Sequence, residues 1–491
     1  MTGLDLLLAR LAEDDVRLTA AGDVLRYDAP AGVLTPRLLD ELRAHKPALL
    51  ARLSGVVDEA PASAQQEAML AAVAQAGRPQ VWNVPTRIGL RGKLDVTALG
   101  TALAELTARH ESLRCRFVSD SDGRYRQQVL PPKPCPLSVD DLRDLPEPSD
   151  RDEQICRSLA DTPFDLAVST EPVCRLLRLA DQEWALMLVL HHISVDGWAL
   201  NVVLTELAEL YRAAATGGPS RLKPPGAQAT GYARWLEQHR DPVREARAIE
   251  FWRARFAQVP FGLVVRADRP RPERPSGDGG TARLTVPATT RAAVEAFARR
   301  RDTTPFAVAA ATLGAYLTGT AGGTVVLSVS YANRERAEFE SLVSCTRLGV
   351  GLAVTVDGRE SFGELVDRTT VEIRTVLDNP VPMTEVLRAL RESGRTDVPA
   401  GLSYGIAFQN FQPAALDFPD LVSTVRDVAA AAARVELVFG IVPCADPAEG
   451  YQAWLEYSAD RWDPASADAV LAGYVRALNE LAAEPARLSR G

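Results

Sequence analysis

Leucines at positions 4, 7, 8 and 11 recur every three or four residues, the period that gathers side chains on one face of a helix. Two short alternating runs follow, Val16-Arg17-Leu18 and Val24-Leu25-Arg26-Tyr27, around Ala21-Gly22-Asp23. That arrangement predicts a β-hairpin. Thr35 then offers an N-cap and Pro36 a first helical position. Leu38, Leu39, Leu42, Leu49 and Leu53 form the apolar face of this segment, and Pro47 predicts a break within it. Residues 1–53 therefore read as one small unit, near the lower size limit for an independent core. Ser54–Pro61 reads as a linker.

From there on, helical and strand periods alternate. Helices are predicted over Leu94–Glu111 and Gly197–Ala215, and strands over Arg175–Leu179, Trp184–Leu190, Thr324–Ser330 and Val350–Val356. Two Gly/Pro-rich stretches, Thr216–Gln228 and Asp268–Gly280, punctuate the middle. Mixed elements over two halves predict an α/β (α+β) protein with two lobes, expected over 62–240 and 241–491.

Composition narrows the function. A chain of 491 residues is too long for one compact core. The net charge of -9, with no basic stripe, argues against nucleic-acid binding. No apolar run approaches the roughly 20 residues that span a bilayer, and the N-terminus lacks the basic region of a signal peptide. Neither nucleic acid nor membrane is an expected partner. The six cysteines (115, 135, 156, 174, 345 and 444) form no CxxC pair, which points to a reducing, cytoplasmic setting and away from structural zinc.

The chemistry concentrates in Leu190–Trp198, LHHISVDGW, at the end of a buried run. Gly197 allows close approach or an unusual φ there, and Asp196 sits at the positive end of the following helix. A metal site is disfavoured, because only His45, His110 and His239 remain and no carboxylate stands at HExxH spacing. No metal is expected. Two readings stay open from the residues alone: a satisfied core corner, or acid–base work by one histidine.

The grouping H-H-x-x-x-D-G resembles the core motif of the condensation domains of nonribosomal peptide synthetases, in the chloramphenicol-acetyltransferase-like superfamily. Companion motifs follow in the family's order. Ser63-Ala64-Gln65-Gln66, Trp82-Asn83-Val84-Pro85 and Arg109-His110-Glu111-Ser112-Leu113-Arg114-Cys115-Arg116-Phe117 precede it. Tyr232-Ala233-Arg234-Trp235, Phe251-Trp252, Asp268-Arg269-Pro270-Arg271-Pro272, Ala332-Asn333-Arg334 and Leu455-Glu456-Tyr457-Ser458 come after it, with Gly231 where an acid is usual. The first 53 residues resemble a TubC-like docking domain through Arg17-Leu18, Leu25-Arg26-Tyr27, Pro30-Ala31-Gly32, Leu34-Thr35-Pro36 and His45-Lys46.

The resemblance implies two chloramphenicol-acetyltransferase-like lobes in a V-shaped pseudo-dimer, behind an ααββαα-type docking unit. It implies amide formation, or less commonly ester formation, between a carrier-bound acyl thioester and an amine or hydroxyl acceptor. His192 is then the catalytic residue, His191 fixes the loop, and Gly197 leaves room for substrate. Asp196 is architectural and pairs with an arginine, Arg334 first and Arg109 second. Arg114 and Trp235 support the fold. The chain is expected to have no cofactor of its own, the phosphopantetheine arms arriving on donor and acceptor carrier proteins. Arg17, Arg26 and Tyr27 mark the docking surface for an upstream subunit's C-terminal peptide, added as a strand, and self-association through the same unit is a further expectation.

Two family segments are degenerate. Where G-x-F-V-N-T-x-x-x-R is expected, Leu342–Val354 reads LVSCTRLGVGLAV, and H-Q-D-V-P-F-E is reduced to Asp378-Asn379-Pro380-Val381-Pro382-Met383. These departures leave room for a non-catalytic binding module on the same fold. An epimerization domain and a CoA-dependent acyltransferase, the latter echoed only faintly by Val438-Phe439-Gly440, are weaker alternatives.

Overall fold

The computed structural model describes residues 3–21, 24–30, 32–46, 49, 55–134, 137–262, 265–409, 416–428 and 431–483. The small N-terminal unit is a helix Gly3–Glu13, an antiparallel hairpin Arg17–Ala21 with Val24–Asp28, and a helix Pro36–Ala44. Thr35 caps the last of these, its Oγ1 accepting from the Leu38 N–H at 3.2 Å. Leu7, Leu11, Val16, Leu38, Leu42 and Leu49 form its core. Among the described residues, the helix Gly3–Glu13 precedes the hairpin. The break expected at Pro47 lies outside the described residues.

The expected linker is partly structure. Asp58–Pro61 forms a strand against Tyr125–Val129, which also pairs with Cys115–Ser119. Ala60 is fully buried, and flanking charges hold the strand in place, Glu59 on Arg126 and Asp58 on Arg234. A short acidic segment ending in proline carries little strand signal by itself; long-range ion pairs supply the rest.

Five strands form the first large sheet, in the order Leu421–Asp427, Asn83–Gly92, Glu183–His191, Val173–Ala180 and Ser138–Asp141. The middle strand is buried on both faces. Leu186, Leu188 and Leu190 pack under the helices Val96–Arg109 and Gly197–Thr216. Ala185, Met187 and Val189 face Cys156 and Ala160 of the helix Pro148–Ala160. Cover on both sides is why this strand reads as an unbroken apolar run.

The edge strand Leu421–Asp427 comes from the far half of the sequence and pairs antiparallel with Thr86–Gly92. A Cβ at Gly89 would lie 2.6 Å from Thr424 Oγ1, so the close approach of the crossing strand requires glycine there. The second large sheet has six strands, in the order Gly279–Val286, Tyr451–Ser458, Leu437–Pro443, Tyr404–Phe408, Gly323–Tyr331 and Leu348–Val356. It packs with the helices Ala288–Arg300, Pro305–Thr318, Phe362–Asp378 and Pro464–Ala483 around one core that includes Phe297, Leu313, Phe362 and Tyr474. Among the described residues, no helix is long and apolar enough to cross a membrane.

Candidate active site

The strand Glu183–His191 ends opposite Asn83, and the chain turns through residues 192–196 before the helix Gly197–Thr216 begins. His191 is buried, and its Nδ1 accepts from the Ile193 N–H at 3.1 Å. That bond leaves the ring proton on Nε2. Phe164 packs edge-on against the ring, and burial pushes its pKa down to about 4. His191 thus braces the turn as a neutral group.

His192 is partly buried, its main-chain N–H donating to the Trp82 carbonyl at 2.8 Å. The Trp82 ring stands edge-on at 6.2 Å, and Cys345 Sγ lies 3.8 Å from Nδ1. Burial, then the charges of Arg347 and Arg434, push its pKa down to about 3, against a hydrogen bond to its own backbone. The imidazole is therefore neutral near pH 7 and has a lone pair with which to take a proton.

Asp196 caps the helix Gly197–Thr216, its Oδ1 accepting from the Ala199 N–H at 2.8 Å. Arg334 Nη2 donates to the same oxygen at 3.1 Å. The Thr346 N–H reaches Oδ2 at 3.1 Å, and the Thr346 hydroxyl lies 3.0 Å from it. Both oxygens of this carboxylate thus have partners from the helix start and from the second half of the chain. Arg334 also donates to the carbonyls of Phe339 and Leu342, at 2.6 and 2.8 Å. Nearby, Trp198 Nε1 donates to the Glu340 carbonyl at 2.8 Å. The residues that frame the histidine motif thus come from the second half of the chain.

Arg109, the second candidate partner of Asp196, lies elsewhere. It pairs with Glu206 at 2.7 Å, and the same carboxylate holds His110 Nε2 at 2.6 Å. This cluster ties the end of the helix Val96–Arg109 to the side of the helix Gly197–Thr216. Arg114 is buried and donates to the Leu130 and Ala108 carbonyls. Trp235 packs edge-on against Phe339 at 5.0 Å and stacks on His239 at 4.7 Å. Gly197 is exposed at the helix start and is not among the glycines with positive φ, so no special backbone conformation requires glycine there. Arg17, Arg26 and Tyr27 are exposed on the N-terminal hairpin.

Sequence reasoning singled out Leu342–Val354 only as a departure, yet this segment completes the site. Cys345 touches His192, Thr346 binds Asp196, and Arg347 follows. The one available signal was the position of this stretch after Ala332-Asn333-Arg334. Arg434, whose Nη2 pairs with Glu456 Oε2 at 3.0 Å, was not anticipated. Among the described residues, no group of three or more His, Cys, Asp or Glu is placed to hold a metal.

Comparison with known proteins matches residues 56–490 to the model of the condensation domain and residues 5–54 to that of the TubC N-terminal docking domain. The phosphinothricin tripeptide synthetase PhsC of Streptomyces viridochromogenes is 32% identical over 310 residues, 62% of this chain and 28% of that protein. The malpinin synthetase of Mortierella alpina is 27% identical over 423 residues, 86% of this chain. The chain spans 5% of the latter's length, a small part of a long synthetase. The first condensation domain of the calcium-dependent antibiotic synthetase superposes with a TM-score of 0.74 at 20% identity, covering 88% of this chain and 98% of that one. The X-domain from teicoplanin biosynthesis superposes at 0.73 and 24% identity, covering 87% and 96%. At these identities the two structures speak for the fold.

Proposed function

The chain belongs to the condensation domains of nonribosomal peptide synthetases, with a TubC N-terminal docking domain ahead of it, and from this premise we propose that it joins a carrier-bound acyl or peptidyl thioester to an amine, or less commonly a hydroxyl, acceptor. The acceptor nitrogen attacks the thioester carbonyl carbon, the C–S bond breaks, and the donor's pantetheine thiol leaves. His192 takes the proton from the attacking amine and returns one to the departing sulfur. The observation that carries this reading is the position of the His192 ring, where both halves of the chain meet, with Cys345 Sγ 3.8 Å from Nδ1 and the Trp82 ring edge-on.

The thioester is already activated, so positioning contributes most. Holding amine and carbonyl at attack distance is worth up to about 7–11 kcal/mol, against about 10²–10⁴-fold for one general base. The site groups, all of them side chains, need no cofactor of their own; phosphopantetheine arms on two carrier proteins bring both substrates. We assign the exposed hairpin edge, with Arg17, Arg26 and Tyr27, to the C-terminal peptide of an upstream subunit, added as a third strand. Reducing cytoplasm suits the buried cysteines 115, 156, 174, 345 and 444.

The test is reconstitution: acyl-loaded donor carrier, this protein and a panel of amine and hydroxyl acceptors, followed by intact-protein mass spectrometry. Transfer of the acyl group supports the reading. Failure with every acceptor, while the loaded carrier still binds, would assign the chain to recruitment of partners and away from catalysis.

A further inference from the structure

Several arginines in or near the interior of this protein are paired with carboxylates. Arg87 meets Asp152 at 2.6 Å, Arg109 meets Glu206, Arg334 meets Asp196, and Arg461 meets Glu436 at 3.4 Å. Arg114, without an acid, has two backbone carbonyls. Arg347 breaks this pattern. It is partly buried: its Nη1 donates to Ser330 Oγ at 3.0 Å on the exposed side, its Nε, like those of Arg334 and Arg461, is buried with no hydrogen-bond partner, and no carboxylate stands within ion-pair distance among the described residues. A partly buried guanidinium with no counter-ion keeps N–H groups to offer an anion.

Its surroundings say where that anion goes. Arg347 lies two residues after Cys345, whose Sγ is 3.8 Å from His192 Nδ1. Its positive charge is felt at His192, as is that of Arg434. Desolvation works against the charged state of Arg347 first and the like charge of Arg434 adds to it, while Cys345 and Asp196 offset part of this. Arg434 has its own counter-ion in Glu456, so the unmatched charge belongs to Arg347.

We propose that Arg347 is a specificity-determining residue that receives a free carboxylate of the reacting substrate beside His192. The proposal rests on the condensation reading and names its substrate class. Two sources share this chemistry: a carboxylate on the carrier-bound acyl group, or the α-carboxylate of a free amino acid serving as acceptor. The phosphate of a pantetheine arm is not the anion, because it stays at the carrier end while the thiol end reaches the histidine. A planar guanidinium binds a carboxylate through two N–H groups, and the isosteric amide leaves one of them facing another donor.

The experiment uses matched pairs with the full chain. In the donor arm, carriers bear succinyl or succinamoyl groups. In the acceptor arm, a free amino acid is compared with its amide. The expected result is a preference of about tenfold or more for the carboxylate in one arm, which identifies the source. That preference should vanish in Arg347→Gln and persist in part in Arg347→Lys. Equal rates for both members of each pair in the wild type overturn the proposal. So does an Arg347→Gln variant that slows both members alike, since it then serves the fold or the developing oxyanion. Equilibrium binding of non-hydrolysable succinyl- and succinamoyl-pantetheine amides, and of the amino acid and its amide, to His192→Ala protein separates the two levels. If no product forms at all, the condensation reading falls, while the binding preference still decides the carboxylate site. Should Arg347→Gln fail to fold, the wild-type preference and the Arg347→Lys variant carry the decision.

Discussion

Arg334 Nη2 lies 3.1 Å from Asp196 Oδ1, with side chains only 3% and 5% exposed, and the two residues stand 138 positions apart in sequence. This one pair fastens the start of the helix behind the histidine motif to the second half of the chain. A buried pair of this kind contributes little over an apolar substitute, but breaking it leaves a stranded charge.

Asp196→Ala should therefore destabilise the protein by about 3–5 kcal/mol, the cost of an uncompensated buried arginine. A denaturant titration reads the loss directly. Arg334→Ala should cost a similar amount, and the double variant less than the sum, because the two share one interaction. An Asp196→Ala protein that unfolds like the wild type yet makes no product would contradict the architectural role and give Asp196 a chemical one.

His192→Ala should behave in the opposite way. Acyl transfer should fall by about 10²-fold or more, with the unfolding midpoint nearly unchanged, because the ring makes few bonds that hold the fold. Turnover close to wild type in the reconstituted carrier assay would remove His192 from the chemistry.

The depressed pKa values of His191 and His192, about 4 and about 3, set an expectation for pH. Both rings resist protonation when folded but accept it near pH 6.5 in the unfolded chain. Their contribution to stability is complete above pH 6.5 and is lost as pH falls toward those lower values. Melting temperature should drop on acidification from pH 7 to pH 4, more gently in His191→Asn. Acyl transfer should stay level through pH 6.5, since His192 remains neutral there. A rate falling along an ordinary histidine titration would show that His192 is not held neutral.

Gly89→Val tests the crossing strand. The new side chain would collide with Thr424, so a cost of about 1–3 kcal/mol is expected, with faster amide hydrogen exchange over residues 421–427. Unchanged exchange in that segment would mean that the strand tolerates the added bulk.

Much of the site was readable because its chemistry is local. The strand, turn and helix around His191, His192 and Asp196 lie within one continuous stretch, and apolar runs and turn residues mark their limits. Arg334 was readable through its own short motif. Cys345, Thr346 and Arg347 were not, since they reach the histidines only through folding and no periodicity records a contact across 150 residues. The strand Leu421–Asp427 escaped for another reason: at a sheet edge with half its residues in solvent, it has no strong apolar alternation. The strand Asp58–Pro61 is held by Arg126 and Arg234, charges that a linear reading cannot assign.

The borrowed edge strand also bears on how such proteins can be recombined. A first lobe cut away near residue 240 would leave Asn83–Gly92 with one row of backbone donors and acceptors unpaired, open to aggregation. Exchange of lobes between synthetases therefore has to move residues 421–427 together with the first sheet. By that measure the unit of inheritance in this fold is discontinuous in sequence.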